Sequence, residues 1–487
     1  MAISIKGDFD LKNIPTIKNK ALRINLNKNI YGTFAEIGAG QETARNFFRA
    51  GGASGTIAKA MSAYDKDFSD AIYGIESDKR YVTEARLKKM LTHEIDLIED
   101  RLSRNKHPEK IFFSYANTVT TIDFAKKFKG HGWVGVKFQL DPLEDFNEII
   151  LHIRFKETDA RLQQETLGKL GVNLLFGAFY LNDNPKDLLE SLYDNIDIDQ
   201  LELDMINFSG PRFMYVDNRL MSLHLVKNGF TNAVMFGPDG NNLLPAQQLY
   251  KANIFTLRGS FRPVTKVNMD MYEKSIKIFC EDKKVDEAKT KIIFEITLSN
   301  LRSDKGEINE RDFLDRAELL CSLGHNVMIT NFQEYYRLVE YFSEFTKKRM
   351  GMAMGVYNLI QIFDEKYYRD LSGGILEAFG KLFFKDLKVY LYPIKDKETN
   401  KFITSDSIKV HPRMKELYKF FKHNGKIVDI ENFDPKVSDI FSREVLNMIS
   451  NGIEGWEKML PDGIAEQIKD KRLFTYSRRK FEKNKES

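Results

Sequence analysis

Apolar and polar positions follow two styles along this chain, and the change falls near residue 172. Residues 33–37 are β-prone, Gly38-Ala39-Gly40 interrupts them, residues 42–50 carry helix formers, and Gly51-Gly52 stops the helix. That stretch predicts a strand, a glycine turn, a helix and a second glycine turn. Residues 56–64 (TIAKAMSAY) predict a further helix. Residues 83–102 give the clearest helix: Thr83 is an N-cap residue type, and Leu87, Leu91, Ile95, Ile98 and Leu102 repeat at helical spacing. His93 and the acids fall beside that stripe and are expected in solvent. Residues 111–115 predict a short strand. Residues 133–140 and 147–155 alternate apolar with polar around Asp141-Pro142-Leu143-Glu144-Asp145, which predicts an antiparallel hairpin. The polar residues 1–30 predict an arm with one short strand near 22–24.

From residue 172 onward, short apolar runs alternate with helical patterns. The runs lie at 172–179, 201–208, 233–236, 254–257, 292–298, 327–330, 350–354 and 388–392. Near-continuous apolar strands separated by helices predict a parallel sheet covered on both faces. The expected fold class is α/β, with mostly parallel sheets and helices on both faces (Rossmann-like, doubly wound), plus a helical C-terminal cap. Eight candidate strands also permit a (β/α)8 barrel over residues 172–395, although Pro238, Gly240 and Pro245 make the link 236–254 poor ground for a barrel helix. After Pro393 a hairpin with a charged turn and three short helices are expected. The pattern divides the chain into an arm at 1–30, an N-terminal α/β domain at 31–160, a central α/β domain at 161–395, and a hairpin with helical cap at 396–487 that ends in a frayed basic tail.

Composition leaves that architecture unchanged: 42% hydrophobic and 30% charged residues are ordinary for a globular protein. The formal net charge of +4 is too mild to argue for nucleic acid, and much of the basic excess falls at Arg478, Arg479, Lys480, Lys483 and Lys485. Two cysteines, Cys280 and Cys321, stand in apolar helical context without a CxxC pair, which predicts two buried free thiols and a reducing compartment. The start, MAISIKGDFDLKN, has no apolar core of signal-peptide length, and no apolar run approaches the ~18 residues of a membrane helix. A cytoplasmic protein without nucleic-acid or membrane partners is expected, with a homo-oligomer open.

Candidate chemistry sits in a few places. Gly38, Gly40, Gly51, Gly52 and Gly55 can bring backbone N–H groups to an anion, with the helix N-terminus adding positive charge. The spacing GxxxxGK[ST] of a P-loop is absent. Arg258-Gly259-Ser260-Phe261-Arg262-Pro263 follows an apolar strand, so Arg258 and Arg262 stand where α/β proteins bind ligands and arginine clamps phosphate or carboxylate. Asp204 and Glu295 interrupt apolar strands; each needs a basic partner such as Arg258 or Arg262, or a place at a ligand crevice. His131, between Gly130 and Gly132, is expected on an exposed turn and is the better histidine for acid–base work, whereas His224 reads as a packed helix residue. No supporting His or Asp spacing argues for a metal.

Two resemblances add to this. AEIGAGQE resembles the first motif of class I S-adenosylmethionine-dependent methyltransferases, which implies Glu36, Gly38 and Gly40 beside the amino-acid end of that cofactor. Gln41-Glu42 departs from the motif, because its third glycine is missing. The blocks GTFAEIGAGQE, GGASGTIAKAMSAYDKDFSDAIYG, FSGPRFMYVDNRLMSL, RGSFRPVT and IFDEKYYRDLSGGILEAFG resemble a bacterial protein family that automated naming has at times called TonB-dependent receptors. Strands that alternate with helices contradict that name, which belongs to large outer-membrane barrels. The resemblance implies a bacterial cytosolic protein and supplies no catalytic residues. The function expected is an enzyme acting on a small phosphorylated or carboxylated molecule, nucleotides included. It would lie between the glycine turns and the Arg258–Arg262 strand end, with His131, Asp204 or Glu295 as acid–base groups. A non-catalytic ligand-binding or assembly protein is the alternative, and a methyltransferase the second; no cofactor is singled out.

Overall fold

Strands and helices alternate in the computed structural model, which describes residues 14–76, 79–102, 104–126, 129–302, 306–384, 386–396 and 398–478. They separate into two units, 1–232 and 233–487. The tail residues Arg479, Lys480, Lys483 and Lys485 lie outside the described residues.

In the first unit, α1 (Ile17–Asn25) starts at Thr16, whose side chain accepts from the Asn19 amide. The strand expected near 22–24 is thus part of a helix. Its Lys20 is fully buried and held by Asp194 Oδ2 at 2.5 Å and Asn173 Oδ1 at 2.8 Å. Next come β1 (Ile30–Ile37), α2 (Glu42–Ala50) and β2 (Ile57–Ala63). β2 overturns the helix expected at 56–64: parallel pairing with β1 outweighs the helix propensity of its Ala, Lys and Met residues. α3 (Lys66–Tyr73) and α4 (Glu84–Arg101) lead to β3 (Ile111–Thr120), which pairs parallel with the other edge of β1. Thr83 does cap α4 through the Arg86 amide, an interaction worth about 1 kcal/mol. Glu94 is not in solvent: it is fully buried against Lys59 at 2.7 Å and the Tyr73 hydroxyl at 3.0 Å.

β4 (His131–Phe138), β5 (Asn147–Phe155) and β6 (Leu201–Ser209) continue that sheet as an antiparallel meander, giving the order β2-β1-β3-β4-β5-β6. Between β5 and β6 run α5 (Ala160–Tyr180) and α6 (Pro185–Ser191), and α7 (Asn218–Lys227) closes the unit with Asp217 as its cap. The strand expected at 172–179 is the last part of α5. Its apolar run is buried all round, so periodicity carries no signal there and only the full 21-residue length identifies a helix. β6 therefore belongs to the first sheet, and the change of pattern near residue 172 does not coincide with the division between units.

The second unit opens with a short antiparallel pair, β7 (Ala233–Phe236) and β8 (Asn242–Leu243), and α8 (Pro245–Leu249). Then β9 (Asn253–Arg258), α9 (Lys266–Cys280), β10 (Thr290–Thr297), α10 (Leu298–Leu301), α11 (Glu310–Ser322), β11 (Asn326–Thr330) and α12 (Tyr335–Phe345) form one half. β12 (Met350–Gly355), α13 (Val356–Ile362), α14 (Gly374–Phe384), β13 (Leu387–Tyr392), the hairpin β14 (Ile394–Lys395) and β15 (Phe402–Ile403), α15 (Lys415–His423) and β16 (Ile427–Asp429) form the other. α16 (Ser442–Asn451) and α17 (Ile464–Lys471) follow. The sheet order is β16-β13-β12-β9-β10-β11-β7-β8, with the first six strands mutually parallel. Numbered in chain order, those six read 3-2-1-4-5-6 from β11 across to β16, the order of the doubly wound dinucleotide-binding fold. The sheet is open, with β16 and β8 at its edges, so the barrel over 172–395 does not form. Phe255, Phe279 and Tyr390 pack on one face, while Met350, Met352, Met354, Leu338 and Phe379 fill the other. Of the two thiols expected to be buried, Cys321 is buried and Cys280 is only half-buried. Among the described residues no helix is long and apolar enough to cross a membrane.

Candidate functional site

The first glycine turn joins β1 to α2. Gly38 has φ +93°, and a Cβ there would stand 2.1 Å from the Val119 carbonyl oxygen of β3. Glycine lets two backbones touch at the carboxyl ends of the parallel strands. Glu36, in β1, turns its carboxylate onto the first turn of α2. It accepts from the Ala44 amide at 2.9 Å, the Thr43 amide at 3.4 Å and Asn117 Nδ2 at 3.0 Å. The helix N-terminus expected to hold a ligand's anion is thus filled by the protein's own carboxylate, because a buried strand acid needs those donors.

Burial pushes the Glu36 carboxyl up to about 7, against the pull of those three donors. An acid raised in the folded state favours the protonated fold, so its contribution to stability is largest below pH 4.5 and falls as pH rises to about 7. The fall amounts to about 3 kcal/mol. Asn117 Oδ1 is buried without a partner among the described residues, and an amide flip would let it accept from a protonated Glu36. In Glu36→Gln, the decline in urea stability between pH 4.5 and 7 is expected to flatten by that amount. Parallel profiles for wild type and variant would remove the assignment.

Gly51 and Gly52, with φ +86° and +72°, lie at the other end of α2. Nine residues of helix separate the two turns, about 13 Å. The Gly51 carbonyl accepts from Asn25 Nδ2 at 2.8 Å, and Gly55 sits in the short turn before β2. The two glycine turns therefore cannot form one anion cradle; only Gly38 and Gly40 stand at the carboxyl end of β1.

His131 is not on an exposed turn. It is the first residue of β4 and half-buried. The partner of Asp204 is a histidine: its Oδ1 lies 2.5 Å from Nδ1 of His152, a residue the sequence pattern did not single out. Glu202 pairs with Arg154 at 3.4 Å and accepts from Thr231 at 2.8 Å.

In the second unit the strand order reverses between β9 and β12, and their carboxyl ends form the switch point where such sheets leave a crevice. Arg258 ends β9, and Glu295 is its register partner on β10. The guanidinium holds Glu295 through Nε at 2.5 Å and Nη2 at 3.0 Å, donates to the Gln333 carbonyl at 2.9 Å, and lies 4.4 Å from the Tyr335 ring centre. Thr330 on β11 donates its hydroxyl to Glu295 Oε1 at 2.5 Å. Asn358 Nδ2 donates to the Tyr335 hydroxyl at 2.7 Å. Burial works against the Arg258 charge, and Glu295 with Tyr335 more than restores it. Arg258 is therefore spent on the floor of the site, with a side chain only 6% exposed.

Arg262 differs. It is 44% exposed and bonds Asp312 Oδ1 at 2.5 Å. Arg316 shares the same Asp312 and also reaches the Ser260 carbonyl at 3.1 Å. Two guanidiniums on one carboxylate leave net positive charge beside the β9 turn. Across the switch point, β12 ends at Gly355, whose Cβ position meets nothing within 4 Å among the described residues. Thr330, Asn358, Asp312 and Arg316 escaped sequence analysis, because each lies far along the chain from the Arg258 loop. The strand–glycine–helix pattern MAMGVYN was the one available pointer to Gly355.

No protein-family model and no curated protein matches the chain. Among solved structures, the competence/damage inducible protein CihA from Agrobacterium tumefaciens is 16% identical, covering 34% of this chain and 97% of its own, with a TM-score of 0.25. A competence-damaged protein (CinA) superfamily protein from Escherichia coli is 13% identical over 36% of this chain and 100% of its own, also at 0.25. At such identities and scores the likeness carries no argument.

Proposed function

We propose that the chain is a cytoplasmic α/β enzyme whose second unit binds a small phosphorylated or carboxylated molecule at the carboxyl ends of β9 and β12. The observation that carries this reading is the 3-2-1-4-5-6 strand order, which sets the switch point at the Arg258 strand end. Arg262 supplies the accessible positive charge, and Tyr335 and Asn358 offer polar groups at the same end of the sheet. Arg258 and Glu295 hold that floor rigid instead of touching the ligand's anion. The Arg258 ion pair argues for a built polar site at this end, because an apolar strand interior gains little from an ion pair.

Thermal-shift measurement against nucleotides, S-adenosylmethionine, sugar phosphates and carboxylic acids tests it. A member present at a hundred times its dissociation constant stabilises by about 2.7 kcal/mol. Arg262→Ala is expected to weaken that member about tenfold or more, the loss of one charge-assisted contact. Unchanged affinity would move the site elsewhere. Mass-spectrometric turnover of the same molecule separates an enzyme from a protein that only binds it.

A further inference from the structure

The first unit carries a cluster that the ligand site of the second does not use. His131 and His152 lie on neighbouring strands, with Nδ1 of His131 3.3 Å from Nε2 of His152. Nδ1 of His152 lies 2.5 Å from Asp204 Oδ1. The pairing of β5 with β6 explains the second contact. His152 pairs with Met205 and Ile153 with Leu203, so Asp204 is the extra residue of a bulge. A bulge re-aims a side chain that a regular ladder would direct elsewhere. His152 and Asp204 are 2% and 5% exposed, and the Trp133 ring packs edge-on against His152 at 4.9 Å. With both rings neutral, the contact to Asp204 selects the tautomers. A carboxylate only accepts, so His152 carries its proton on Nδ1 and presents Nε2 as an acceptor. His131 then donates from Nδ1, which leaves the lone pair on its own Nε2.

The outer end of this chain is placed for chemistry. His131 is half-buried at the start of β4, opposite Thr120 at the carboxyl end of β3. That is the end of the sheet where the Gly38 turn meets Val119. On its other side, the register partner is Arg154, which Glu202 holds. A buried pair needed only for packing would stop at His152 and Asp204. Here it continues to a third, more accessible imidazole. Among the described residues no three His, Cys, Asp or Glu side chains converge on a metal position, so the cluster is not a ligand set.

We propose that Asp204, His152 and His131 form a proton relay whose outer member accepts a proton, through Nε2, from a hydroxyl group brought to the carboxyl end of β3. The O–H bond breaks and an N–H bond forms at His131 Nε2, while the oxygen keeps the electron pair. The Nδ1 proton of His131 passes to His152 Nε2, so the positive charge comes to rest beside the Asp204 carboxylate. Asp204 and His152 are positioning residues. The hydroxyl belongs to water or to a small molecule, and the shared chemistry is deprotonation of an oxygen nucleophile. Burial, then His152 and Arg154, push His131 down to about 4 against the pull of Asp204, so it stands ready as an acceptor at neutral pH.

Diethyl pyrocarbonate, which acylates unprotonated imidazole, tests this on the full chain with peptide mapping. Exposed His411 and His423 report reagent activity in the same digest. His131 is expected to react, with a pH midpoint well below the ordinary histidine value of about 6.5. In Asp204→Asn the midpoint should fall further, because the charge that favours His131 protonation is gone. An unreactive His131, a midpoint near the ordinary value, or a wild-type profile retained in Asp204→Asn would overturn the relay. The wild-type profile alone decides the matter if the variant does not fold. Once a hydroxyl-bearing substrate is known, its turnover distinguishes a substrate hydroxyl from water by which oxygen appears in the product.

Discussion

Replacing Glu295 with alanine is expected to destabilise the second unit by about 3–5 kcal/mol, because it leaves a buried guanidinium without its counter-charge. Arg258 is 6% exposed and Glu295 fully buried, and two short hydrogen bonds join them across adjacent strands. Arg258→Ala should cost a similar amount, since among the described residues Glu295 would keep only the Thr330 hydroxyl. Replacing both by apolar residues of similar volume should cost far less than the sum, as buried pairs contribute specificity more than net stability. Arg262→Ala should cost less than about 1 kcal/mol, because Arg262 is 44% exposed and the buried Asp312 keeps Arg316. Urea unfolding of the four variants reads these differences directly. An Glu295→Ala variant within 1 kcal/mol of wild type would mean that the pair is hydrated and that the floor of the site is not rigid.

Gly38→Ala is expected to cost about 3 kcal/mol in the first unit, from a strained φ and from overpacking together. The added Cβ would meet the Val119 carbonyl at 2.1 Å, a backbone atom that no rotamer change can move aside. Gly40→Ala meets only the flexible Gln164 side chain at 3.6 Å, so its cost is the φ term alone, about 1 kcal/mol. The pair of variants separates a glycine needed for close backbone approach from one needed for conformation. Equal melting temperatures for the two would contradict the contact between the β1 turn and β3.

How much of this was legible in the sequence depended on whether a segment's neighbours were encoded beside it. The strands of the second unit, from 233–236 to 388–392, showed themselves because each is an apolar run bounded by a helix with its own stripe. β2 did not, since its Ala, Lys and Met residues favour a helix until β1 supplies a pairing edge. The buried half of α5 did not, since a run apolar on every side has no period to detect. β16, three residues long, offers too short a pattern. The site followed the same rule. Glu295 and Asp204 announced themselves as acids in apolar strands, and a partner had to exist. That Arg258 is one partner and His152 the other follows from strand order, and no local pattern carries strand order. The glycine turns misled for a complementary reason: they are adjacent in sequence, yet the helix between them holds them at opposite ends.

The proposed function rests on a small anionic molecule binding at the carboxyl ends of the neighbouring strands β9 and β12. Gly355→Leu tests it most directly. The backbone there has φ −82°, which any residue adopts, and the Cβ position is open among the described residues, so the fold should tolerate the change. Thermal-shift measurement on wild type and variant, with the same panel of nucleotides, S-adenosylmethionine, sugar phosphates and carboxylic acids, should show a ligand that stabilises wild type and leaves Gly355→Leu unmoved. A ligand that stabilises both equally, or a panel in which nothing stabilises wild type, would contradict the account.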